Sequence, residues 1–163
     1  MKDRQPLLDG LSQAVTILAE FVATIPADKM NLRRGEGFWT INEHVSHLAD
    51  VQPMLFERLQ RFTTEEAPAF VPFIPDAGEE AASGPPNMET GAALAQFADF
   101  RQRQCDLLSR AEERTWLKTA THPEYEKYSF YILARHILMH DHWHMYRMEE
   151  LWLTRDEFLT ELQ

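Results

Sequence analysis

Seven histidines hold most of this chain's capacity for chemistry, and two of them stand one helical turn apart in the segment His140-Asp141-His142-Trp143-His144. An i, i+4 spacing on a helix brings the two Cβ atoms within about 6 Å, so both rings can reach one metal ion with bonds near roughly 2 Å. With Leu133 as the reference direction, Ile137, His140, His144, Met148 and Leu151 all fall within about 60° of it. His140 and His144 therefore lie in the middle of an apolar stripe that should face a core. An imidazole buried without a partner costs on the order of 1–3 kcal/mol, so the pair needs compensation. A shared metal ion supplies it; so would carbonyls, carboxylates or water around two core histidines.

A third ligand has to come from another helix. His44 and His47 are the candidates, and by angle His44 lies closer to its apolar stripe while His47 lies on the flank. Of the others, His142 points away from the core, His136 sits at the edge of the stripe, and His122 precedes Pro123 in a loop-like stretch and is expected to face solvent. The lone Cys105 shares a face with core residues and reads as a small hydrophobe.

Four helices position these residues. The first runs from about residue 5 to Pro26, with Leu8, Leu11, Val15, Leu18 and Val22 on one stripe. The second opens at Thr40-Ile41-Asn42-Glu43, a capping-box pattern, and continues through Val45, Leu48, Leu55, Leu59 and Phe62. Pro53 should bend it, because it removes a hydrogen bond to the carbonyl of Ala49. The third spans roughly 89–113 and the fourth roughly 129–153. Thr154-Arg155-Asp156-Glu157 reads as a second capping box opening a short C-terminal helix. Residues 63–88 carry five of the nine prolines and form a long crossover, either a plain connection or a lid across one end of the bundle. The expected fold is all-α, one four-helix bundle domain over residues 1–163.

Composition narrows the function. Sixteen basic against twenty-six acidic side chains give a net charge of −10, a field that repels phosphate backbones and argues against nucleic acid. One cysteine rules out an internal disulfide and suits a reducing compartment. Neither a signal-peptide core nor a membrane span is evident in the hydropathy pattern, so a cytoplasmic protein with no membrane partner is expected.

Two blocks give the chain a family likeness. Phe38-Trp39-Thr40-Ile41-Asn42-Glu43-His44-Val45-Ser46-His47-Leu48 resembles the tryptophan-led entry into a His-Leu helix of the DinB/YfiT-like metalloproteins. His140-Asp141-His142-Trp143-His144 is similar to their His-Asp-x-x-His segment. The resemblance implies an up-down-down-up bundle and selects His47, rather than His44, to join His140 and His144 as metal ligands. It also implies a divalent metal ion; zinc is the default for this ligand type, with nickel and iron as alternatives. Where many relatives continue with a small residue and a glutamine, this chain has Met145-Tyr146-Arg147. Arg147 lies near the core stripe and either pairs with a carboxylate inside the bundle, the favoured reading, or binds an acidic substrate.

Characterised members of that family include transferases, and the resemblance thus implies a metal-dependent S-transferase, its partners a low-molecular-weight thiol and an electrophile. Metal-dependent hydrolysis of a small amide or ester is the alternative, and a non-enzymatic metal site in a stress protein is a third. A peptidase of the His-Glu-x-x-His kind is disfavoured by the shorter acid at Asp141. A second apolar row on the fourth helix, Ile132, Met139, Trp143 and Tyr146, suggests either cover from the C-terminal segment or a homodimer contact, and the dimer is the favoured reading.

Overall fold

A computed structural model describes residues 3–71 and 86–159. Four long helices form the expected bundle: α1 (Arg4–Thr24), a broken second helix made of α3 (Ile41–Asp50) and α4 (Gln52–Thr64), α5 (Thr90–Arg110) and α7 (Phe130–Leu153). Short helices α2 (Ala27–Met30) and α6 (Glu113–Trp116) follow α1 and α5. Both α5 and α7 pack against α1 and against the α3–α4 helix. α1 and the α3–α4 helix therefore stand diagonally, as do α5 and α7, whereas α5 lies beside the α3–α4 helix and begins against the first turn of α3, so the crossover has to return along the bundle.

Local chemistry explains the element ends. In α1, Leu7, Leu11, Ala14, Leu18 and Val22 are buried, and Leu8 and Val15 flank that stripe half-buried. By length and hydropathy α1 would pass for a membrane span, contrary to the sequence reading. Its stripe is instead packed into the bundle, and Gln5, Asp9, Gln13, Thr16 and Glu20 cover the outer face. The capping box forms at α3: the Thr40 hydroxyl accepts from Glu43 N–H at 3.2 Å and Glu43 accepts from Thr40 N–H at 2.6 Å. Pro53 breaks the second helix at Val51, as expected. The Ala49 carbonyl, deprived of its usual donor, accepts from the Gln96 side-chain amide of α5 at 3.1 Å.

Three expectations need correction. The region before α7 folds as a two-stranded antiparallel hairpin, β1 (Thr119–His122) and β2 (Tyr125–Ser129), with a bulge between Ala120 and His122. Phe70 N–H donates to the Thr121 carbonyl at 2.9 Å and Thr121 N–H to that of Pro68 at 3.1 Å, tying the end of the second helix to the hairpin. As a result His122, expected in solvent, is buried at 8% exposure beneath Tyr125 and Tyr128. The second capping box does not form either. Thr154 closes α7, and Arg34 binds the Thr154 carbonyl at 2.7 Å and the Asp156 carboxylate at 2.9 Å, leaving a three-residue 3-10 turn, Asp156–Phe158. Of the crossover, residues 72–85 lie outside the described residues, and with them most of the suggested lid; Phe70 is buried against Phe62.

Among the described residues the core has two apolar clusters, one around Leu18, Val45, Leu48, Phe97 and Met148, the other around Leu11, Leu59, Phe62, Leu108 and Phe130. Between them, at one level of the bundle, lie buried polar residues from three helices: Gln52, Arg101, Gln104 and Asp141. His140 and His144 belong to that same level.

Candidate metal centre

The site is built where α3 meets α7. The capping box fixes where α3 begins, and the same first turn is tied to the end of the crossover. Asn42 donates to Asn87 Oδ1 and to the Met88 carbonyl at 2.6 and 2.9 Å, and the Ser46 hydroxyl accepts from Met88 N–H at 2.9 Å. On α7, the Ser129 hydroxyl accepts from Ile132 N–H at 3.2 Å and starts a helix of 24 residues. A rigid start on each helix sets the register of the histidines that follow.

All three histidines expected as ligands come together. His140 Nε2 lies 3.2 Å from His47 Nε2 and 3.2 Å from His144 Nε2, and one nitrogen from each of the three rings lies within 4.8 Å of the others. His44, the residue that helical angle favoured, is also present: its Nδ1 is 2.8 Å from His144 Nδ1. It stands behind His144 rather than at the meeting point of the three rings. Trp39 covers the group, its ring centroid 5.2, 5.1 and 6.1 Å from those of His44, His47 and His144.

The donor set suits a cation. A neutral imidazole nitrogen has either one proton or one in-plane lone pair, so His140 Nε2 cannot satisfy both of its neighbours well. A single positive ion would accept all three lone pairs. Burial keeps those lone pairs free: it pushes His140 down to about 4 and His144 down to about 2, with neighbouring imidazoles adding to the effect. Burial pushes His44 to about 3 and also lowers His47. Three nitrogen donors with room for another ligand is an arrangement typical of catalytic divalent-metal sites.

One side of the cluster opens on a cavity of about 260 Å³ with His47 and His140 at its end. Met54, Leu133 and Ile137 line it with apolar surface, and the hairpin closes it with His122, Glu124, Tyr125 and Tyr128. Arg58, also in the wall, donates to the Val71 carbonyl at 2.8 Å. Burial raises the Tyr128 hydroxyl above its ordinary value, partly offset by the neighbouring Arg58. Sequence reasoning missed these hairpin contributions. A turn at His122-Pro123-Glu124-Tyr125, flanked by Thr119, Thr121 and Tyr128, was the available signal.

Four other residues, Arg147, Arg101, Asp141 and Cys105, lie outside the cavity wall. Arg147 pairs with Glu150, both nearly buried. Arg101 and Asp141 form an ion pair at 2.7 Å with side chains 1% and 0% exposed. Cys105 is half-buried beside the core and absent from the cavity wall, and burial raises its thiol.

Comparison with known proteins agrees with this architecture. The sequence matches the DinB superfamily over residues 11–155. Among solved structures, YfiT from Bacillus subtilis superposes with a TM-score of 0.77 at 22% identity, over 93% of this chain and 86% of that one. YfiT is described as a probable metal-dependent hydrolase with an unusual four-helix bundle topology. No curated protein matches the sequence.

Proposed function

The chain belongs to the DinB superfamily, and we propose that it is a metal-dependent enzyme acting on a small molecule, with hydrolysis its first reading. One observation carries this: three ring nitrogens from two helices lie within 4.8 Å of one another, at the end of a cavity. His47, His140 and His144 would hold the ion. A divalent metal there would keep its full charge, lowering a bound water to a pKa near roughly 7 or deprotonating a bound thiol.

The chain's own residues supply binding and shelter. Met54, Leu133 and Ile137 receive the apolar part of a substrate, while Arg58 and Glu124 offer one charge of each sign to orient its polar groups. The hairpin forms the far wall, with His122 and Tyr128 buried and Tyr125 partly exposed at the rim. Cys105 is not in the cavity wall, so a thiol nucleophile would have to arrive as a small molecule. A volume of about 260 Å³ falls just below the usual range of ligand sites. One small substrate and a water fit more readily than a thiol and an electrophile together. Similarity to YfiT supports the same choice.

Thiol transfer is the second reading, because the sequence resemblance implies it and the same three imidazoles would serve it. A closed, purely structural metal site is disfavoured by the cavity at His47 and His140. Zinc remains the default ion by ligand type, and a homodimer through the exposed row of Met139, Trp143 and Tyr146 remains part of the proposal. The test is turnover of small esters and amides by metal-loaded protein, with and without added thiols. Hydrolysis without thiol, abolished by a chelator, is expected. Turnover only when a thiol is consumed would establish the second reading, and no turnover in either arm would contradict both.

A further inference from the structure

Resting on the metal-centre reading above, we infer that His44 is a positioning residue: its Nδ1 accepts a hydrogen bond from His144 Nδ1–H and so fixes the tautomer and tilt of the His144 ring. The geometry is specific. His144 turns its Nε2 toward His140 at 3.2 Å and its Nδ1 toward His44 Nδ1 at 2.8 Å. A neutral imidazole carries one proton. If the Nε2 lone pair is to be given to a cation, that proton must reside on Nδ1, and a partner there must accept it. His44 then has to keep its own proton on Nε2. Nearly all of this contact is shielded from water, with His44 and His144 4% and 3% exposed.

The surroundings hold His44 in place. Trp39 lies against it with ring centroids 5.2 Å apart, and Trp143 approaches on its other side at 6.3 Å. Trp143 also meets His144 edge-on at 4.7 Å. This assignment explains why helical angle points His44 to the core although it stands outside the three-ring meeting point. Partners that fix the free nitrogen of a ligating histidine typically contribute about 10–100-fold in metal affinity.

The test uses the zinc-loaded full chain. Long-range proton–nitrogen NMR on histidine-labelled protein should show His144 protonated at Nδ1 and His44 protonated at Nε2. A His44 protonated at Nδ1, or shifted as a zinc ligand, would overturn the inference. In parallel, zinc competition with a chelating dye should show about a 10–100-fold loss in His44→Phe. Most of it should return in His44→Asn, whose amide oxygen can stand near the lost Nδ1. Native affinity in His44→Phe, or equal losses in both variants, would also overturn it. Wild-type protein that takes up no zinc would instead remove the metal centre itself, and this inference with it. The NMR arm needs only native protein, so a variant that fails to fold leaves the question decidable.

Discussion

Arg101 of α5 and Asp141 of α7 form an ion pair at 2.7 Å across the middle of the bundle, with side chains 1% and 0% exposed. Asp141 follows His140 directly, so the pair fixes the backbone that carries one edge of the metal cluster. Breaking a buried pair leaves an uncompensated charge in a low dielectric, at a cost of about 3–5 kcal/mol. Asp141→Leu or Arg101→Met alone should lower stability by about that much in urea denaturation. The double variant should recover most of it. Equal instability of the double and the single variants would show that the pair's attraction itself holds the helices together.

Thr40 should matter in a second way, through the start of α3. Its hydroxyl accepts from Glu43 N–H, and loss of such a cap costs about 1 kcal/mol. Thr40→Ala should therefore reduce stability by about that amount, while Thr40→Ser should not. A loss of metal affinity in the alanine variant, read by chelator competition, would follow if this cap sets the position of His47.

Much of this fold could be read from the chain because its signals are local. A capping box, a proline after it and a helical stripe of histidines each depend on neighbours within one or two turns. The hairpin was not legible in that way. Its strands have only four and five residues, and β1 is anchored through Thr121 by hydrogen bonds with Phe70 and Pro68, some fifty residues earlier. The second capping pattern failed for the same reason, since Arg34 takes Asp156 from far along the sequence. His47 shows the limit within the site. Periodicity alone pointed to His44, and only the family resemblance distinguished the two rings that α3 presents one turn apart.

The cavity gives a third prediction. Met54 lines it without belonging to the three-histidine cluster, so Met54→Trp should obstruct substrate while metal stays bound. Turnover should fall at least tenfold, a change of about 1.4 kcal/mol, with zinc content unchanged by elemental analysis. Full activity in a folded Met54→Trp would place the reaction elsewhere.

Assembly is the fourth. Met139, Trp143 and Tyr146 are 60%, 43% and 57% exposed on α7, large apolar groups on one flank of a helix. Light scattering should report a dimer for the native chain and a monomer for Met139→Asp combined with Tyr146→Asp. A native monomer at high micromolar concentration would end the homodimer proposal.

The most direct measurement is metal content of the chain purified without a histidine tag, together with single alanine variants. Native protein should carry one divalent ion per chain. His47→Ala, His140→Ala and His144→Ala should each lose it, and His142→Ala, on the exposed side of α7, should keep it. A metal-free native protein, or a His47→Ala variant that retains its full complement, would contradict a centre shared between α3 and α7.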